Sequence, residues 1–188
     1  MMPGSPGKPG LPSFKTGKRQ YLLLGLGAII LIMLLFIIIA LITSSGKSTT
    51  QTLVNIAEEQ TELVRVSAIG VKNTRGSDAK SLAVTTNLAM TSSQQQTVAL
   101  LKKQGHKLSA KQLAFKRDAQ TDATLNTAQL NNAFDVAFLQ VMQTQLKAYQ
   151  KDVKQAFDAS QNKTEKAILA SSYNGINTIL VAQTTSSN

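Results

Sequence analysis

The side chains able to do chemistry are few in this 188-residue chain. It has no Cys and one His. A disulfide framework, a thiolate metal site, a Cys nucleophile and a multi-His metal centre are therefore excluded. Glu58, Glu59, Glu62, Asp135 and His106 remain as candidates. Glu58 and Glu62 stand one helical turn apart, the spacing that puts paired carboxylates on one face for acid–base or metal work. Without complementary ligands around them they read as a solvated acidic face. Asp135, next to Phe134 near an expected helix start, reads as a charge stabilising the positive end of that helix. His106, in Gln104-Gly105-His106-Lys107, reads as an exposed turn residue. No Gly-x-Ser-x-Gly, phosphate-binding loop or His-Glu-x-x-His occurs. No catalytic or metal-binding residue is assigned, no cofactor is implied, and an enzyme is not expected.

Charge is more informative. Lys102, Lys103, Lys107, Lys111, Lys116 and Arg117 crowd one stretch; such a run is ordinarily a solvated face, but it could attract a polyanion, whether an anionic envelope polymer, lipid head groups, an acidic protein surface or nucleic acid. Phe115 is the one aromatic residue in that stretch, so base stacking is poorly served and nucleic acid is the least favoured of these partners.

The elements that must carry these residues begin with an uncharged run, Tyr21 to Ile42. As a helix it would extend about 33 Å, enough to cross a bilayer core. It is also longer than the apolar core of a cleaved secretory signal. A single membrane anchor is expected over 21–43. Lys15, Lys18 and Arg19 precede it, which orients a short N-terminus to the cytoplasm and the remainder to the far side of the cell membrane. Residues 1–20 hold all four prolines and read as a disordered cytoplasmic tail. Residues 44–48 read as a linker, 49–183 as a helical bundle and 184–188 as a frayed end.

Within 49–183 there is no Pro, and Gly occurs only at 70, 76, 105 and 175. Long helices follow from that scarcity of breakers. The first is expected over about 49–72. A second, capped by Ser77 or Asp78, ends at a left-handed Gly105. A short third begins at Ser109. The fourth carries Phe134, Phe138, Val141, Met142, Leu146, Tyr149, Val153 and Phe157 at three- and four-residue spacing. Asn162 with Glu165 forms a capping-box-like start for the last. The expected fold class is all-α: an antiparallel bundle of four long helices and one short one.

Helix order and several local matches give a family resemblance over about residues 50–182. Phe134-Asp135-Val136-Ala137-Phe138 followed by Met142, together with Met90, Leu101, Gly105 and Glu62, resembles the bacterial ferritin-like family catalogued as domain of unknown function 4142. The resemblance implies a ferritin-like bundle with Asp-His after the methionines of helices two and four. Here those positions read Ser93-Gln94 and Thr144-Gln145, so Gln94 and Gln145 stand where the family has histidine. A dimetal site needs inward carboxylates and imidazoles from several helices, and this chain lacks them there. An inward-facing Gln94 and Gln145 would instead make an amide pair, but glutamine is mostly exposed and surface placement of both is the favoured expectation.

The function expected from these features is display, without catalysis, of a basic helical bundle outside the cytoplasmic membrane for surface interaction or envelope assembly. Its partners would be the membrane and an anionic envelope polymer or another envelope protein. Two alternatives stand beside it: a ferritin-like metal-binding or oxidoreductase domain with atypical ligands, and a subunit of a membrane sensory or secretion complex.

Overall fold

A computed structural model describes residues 50–186, with side chains up to Gln183. The expected tail, anchor and linker (1–48), with Lys15, Lys18 and Arg19, lie outside the described residues. Among those that are described, no helix is long and apolar enough to cross a membrane.

The described chain is helical, with no strand. Four long helices are α1 (50–73), α2 (Ser77–Lys103), α5 (Phe134–Ala159) and α6 (Lys163–Ser186); α3 (Ala110–Leu113) and α4 (Ala119–Leu130) connect α2 to α5. The single short helix expected between the second and fourth is thus two. Phe115-Lys116-Arg117 forms the break, and Asp118 restarts the helix by accepting hydrogen bonds from Gln120 N (2.9 Å) and Thr121 N (3.2 Å). That cap satisfies amides that have no intrahelical partner. The last helix also runs on to Ser186, into the segment 184–188 expected to fray, because Thr184-Thr185-Ser186 contains no breaker.

The long helices form two antiparallel hairpins. Asn87 donates to Ser67 Oγ (3.1 Å) and Gln94 to Thr61 Oγ1 (2.6 Å), so α2 runs down as α1 runs up. Gln60 Nε2 donates to Tyr149 Oη (2.6 Å), and Gly70 faces Phe138, which orders α5 antiparallel to α1. α2 and α5 therefore run in the same direction, and the chain must travel the bundle's length between them; α3 and α4 make that crossing. The core is the inward stripe: Leu53, Ile56, Met90, Leu101, Phe138, Met142, Leu146, Leu169 and Ile176 are fully buried, with the Phe134 ring stacked 6.0 Å from that of Phe138.

This topology defines two ends. At the far end lie the α1–α2 and α4–α5 turns. At the entry end lie residue 50, the α2–α3 turn and the α5–α6 turn, where Thr52, Leu53, Ala156, Ser160, Glu165 and Leu169 line a shallow depression. Gly105 takes φ +87° there. Gly105 N donates to Lys102 O (3.1 Å) and His106 N to Leu101 O (2.8 Å), the two bonds that close a Schellman terminus. Asn132, at φ 55°, ends α4 in the same way.

Two expected caps are built differently. Neither Ser77 nor Asp78 caps α2; Gly76 is its N-cap, and Asp135 from α5 accepts from Gly76 N (2.7 Å) and Arg75 N (3.1 Å). The Asp135 carboxylate thus serves the start of α2 as well as the first turn of its own helix, a tertiary contact that a local pattern does not contain. Asn162 caps α6 through Thr164 N (2.8 Å), but Glu165 does not complete the box. Its carboxylate turns inward to accept from Gln104 Nε2 (2.6 Å) and Ser160 Oγ (2.7 Å).

Candidate functional site

Three polar regions could carry function, and the helices position each of them. The first is a charged seam where the α3–α4 connection lies over α1. Arg65 donates to both oxygens of Glu62 at 2.7 Å and also bonds Asp122, which accepts from Arg117 at 3.1 Å. Glu62 further accepts from Asp118 N (3.2 Å), tying the start of α4 to α1. Lys116 pairs with Glu59. Although burial opposes it, hydrogen bonds from Arg65 and Arg117 hold the Asp122 carboxyl below its ordinary value. Burial pushes the Glu59 carboxyl up; Lys116 opposes that shift and neighbouring Asp152 adds to it.

The expected solvated face of Glu58, Glu59 and Glu62 is therefore corrected. Glu58 and Glu62 are buried, on a helix that α2, α5 and the start of α4 all contact. Glu62 is tied to Arg65 and to the Asp118 amide, whereas no ion pair among the described residues engages Glu58.

The second region is the bundle interior around Gln94 and Gln145. The two amides are half-buried and serve different helices. Gln94 Nε2 donates to Thr61 Oγ1 on α1, and Gln145 Nε2 to Thr121 Oγ1 on α4 (3.1 Å). Each threonine in turn donates to its own chain segment, Thr61 to Ala57 O (2.8 Å) and Thr121 to Asp118 Oδ2 (2.7 Å). Both glutamines are helix-to-helix bridges, and their hydrogen bonds do not join them as an amide pair. Among the described residues no three of His, Cys, Asp or Glu gather as metal ligands. Amides committed to threonine hydroxyls do not fit a dimetal centre, whose hard cations need charged or imidazole donors. Deeper in, Tyr149 bonds Gln60 and Ser172, and burial raises its phenol so that it stays neutral.

The third region is the basic stretch. Lys102, Lys103, Lys107 and Lys111 are exposed, and His106 stands exposed beside them in the turn. Ion pairs among the described residues engage only Arg65, Lys116, Arg117 and Lys154 on the cationic side, so these four lysines carry uncompensated charge. Lys116 and Arg117 are drawn into the seam instead, with side chains 35% and 62% exposed. The structure divides the six expected residues into four outward charges and two structural ones.

It also adds residues that the sequence reading did not assign to the patch. The α5–α6 turn shares the entry end, which brings Lys163 (exposed) and Lys166 beside the α2–α3 turn. Lys166 Nζ lies 5.1 Å from the centre of the Phe157 ring. The anions of that end are occupied: Glu165 is buried among its donors, and Asp158 pairs with Lys154 at 2.7 Å. A topological signal was present in the chain, since an antiparallel bundle with one long crossover puts both turns at one end.

Comparison with protein-family models, with curated proteins and with solved structures finds no match to this chain.

Proposed function

We propose that this chain is a single-pass membrane protein that displays a non-catalytic helical bundle outside the cytoplasmic membrane and binds an anionic partner in surface interaction or envelope assembly. The observation that carries the binding reading is the set of exposed, unpaired lysines at the entry end: Lys102, Lys103, Lys107, Lys111 and Lys163. Single-sign charge without local compensation raises the concentration of an opposite-sign partner and speeds its encounter. Membrane attachment rests on the uncharged 21–42 run and the positive charges before it.

Two hairpins joined by one long crossover are a connectivity that ferritin-like bundles also use. In this reading the fold is retained as a scaffold. Gln94 and Gln145 bridge helices where the resembling family would place metal ligands.

Binding of the full-length protein in mild detergent to inorganic polyphosphate, a soluble polyanion, tests the reading. The wild type is expected to bind with an affinity that falls steeply with salt. The variant K102E/K103E/K107E/K111E should bind about tenfold more weakly or worse. Equal binding by the two proteins would refute the role of the basic surface.

A further inference from the structure

We infer that the anionic partner of the entry end is the lipid surface of the bilayer that holds the chain's own anchor, so that the bundle docks end-on against it. This rests on the reading above and names the partner within it.

The argument begins with chain reach. The described helix α1 starts at residue 50, and six residues, 44–49, separate it from the end of the expected anchor. Six residues extend at most about 20 Å. The entry end is therefore held within two or three Debye lengths of the membrane surface at physiological salt, each about 8 Å. Tethering at that distance makes contact with the bilayer an intramolecular event of high effective concentration, which a dissolved polymer or protein lacks.

Charge placement completes it. Lys102, Lys103, Lys107 and Lys163 come from two turns far apart in sequence, yet all lie at the end that the tether leads into. The far end is not like this: Arg75, Lys72 and Lys80 share it with Asp78 and Asp135. All four of the entry-end residues are lysine. Lysine is a compact charge on a flexible stem, suited to loose attraction by many phosphates, whereas the planar fork of arginine suits one fixed site. Lys166, its ammonium 5.1 Å from the centre of the Phe157 ring, adds a further charge behind them. The acidic groups of this end do not oppose contact, because Glu165 is turned inward and Asp158 is paired. Basic residues close to an anionic lipid surface are each attracted appreciably, and the attraction disappears within about a Debye length.

The absence of Cys makes a direct test clean. Single-cysteine variants Gln161→Cys, at the entry end, and Asn131→Cys, at the far end, are labelled with a donor fluorophore in the full-length chain. Each is reconstituted into vesicles of zwitterionic phosphatidylcholine, or of that lipid with one-third phosphatidylglycerol, with an acceptor on a trace of head groups. Energy transfer from Gln161→Cys should rise when the anionic lipid is present, while that from Asn131→Cys, roughly 35 Å further along the helices, should respond much less. The rise should be lost in high salt. It should also be lost in K102E/K103E/K107E/K163E, whose fold is verified by circular dichroism. Transfer that is the same in both lipids overturns the inference, as does a rise that survives both salt and charge reversal. If transfer is indifferent to lipid but polyphosphate binding still depends on the lysines, docking is wrong and the broader reading stands, with a polymer or protein as partner.

Discussion

The two ends of the bundle solve the same problem, closing helix termini, with opposite surfaces. At the far end the closure is tertiary and tight. Asp135 reaches from α5 to the first amides of α2, and Gly70 lets α1 come against Phe138. Of the large exposed apolar side chains, Val84, Leu88, Leu130, Val136 and Val181 lie in that half, and Phe115, beside the Lys116–Glu59 pair, lies toward the other. At the entry end the closure is local or buried. Gly105 ends α2 by its own backbone, and Glu165 gathers Gln104 and Ser160 beneath the surface. The lysines outside take no part in holding the helices together. Both ends spend a carboxylate on closure, Asp135 at one and Glu165 at the other, but the far end leaves Lys72 and Arg75 exposed near Asp78, whereas the entry end presents a larger set of unpaired lysines.

The contrast can be broken most severely at Gly70. A Cβ there would lie 2.3 Å from Phe138 Cε2 and Cζ and 3.0 Å from the Ala83 Cβ, and the Phe138 ring is fully buried. Gly70→Ala should cost about 2–3 kcal/mol by overpacking, measured by urea denaturation, with part of the loss recovered in Gly70→Ala/Phe138→Leu. An unchanged midpoint for the single variant would mean that α1 and α5 do not approach as described.

At the entry end the largest effect should come from beneath the surface. Glu165→Ala removes the acceptor of Gln104 Nε2 and Ser160 Oγ, leaving buried donors unmatched at a cost of about 1–3 kcal/mol. Charge reversal of Lys102, Lys103, Lys107 and Lys163 should by comparison change stability by about 0.5 kcal/mol or less per site. A stability loss from the lysines as large as that from Glu165 would erase the distinction between a structural interior and a functional exterior.

The gentlest probe is pH. Burial raises the Glu59 carboxyl above 4.5, so in this region the folded state holds its proton more tightly than the unfolded chain. Stability contributed by this group is therefore highest below 4.5 and falls as pH rises through the raised value. Asp122 runs the other way: its lowered value means that stability is lost as pH falls below 3.8. Glu59→Gln should flatten the upper slope of a stability profile and leave the acid limb in place. An upper slope unchanged in Glu59→Gln would assign it to another group.

Much of the fold was legible because its signals are local. The span of α2, the left-handed end at Gly105 and the apolar stripe of α5 from Phe134 to Phe157 follow from spacing and from the scarcity of breakers. The division of the connection into α3 and α4 was less legible, since the break that lets Asp118 cap a new helix carries a long-range contact, Lys116 to Glu59, that no local pattern contains. The site was half legible. Six basic residues stand out in the sequence, but only distant carboxylates decide which of them remain outward, and Glu59 and Asp122 claim Lys116 and Arg117.

By itself the sequence determined where helices can form, the absence of thiol and multi-His chemistry, and an excess of positive charge, because these depend on residue type and near neighbours. The tertiary structure decided which charges are used up. Burial of Glu58 and Glu62 and the bridging by Gln94 and Gln145 all require elements far apart in the chain to meet. So does the gathering of Lys102, Lys103, Lys107 and Lys163 at one end. A side chain's charge is written in its sequence; whether that charge is paired, buried or offered to a partner depends on what the fold places beside it.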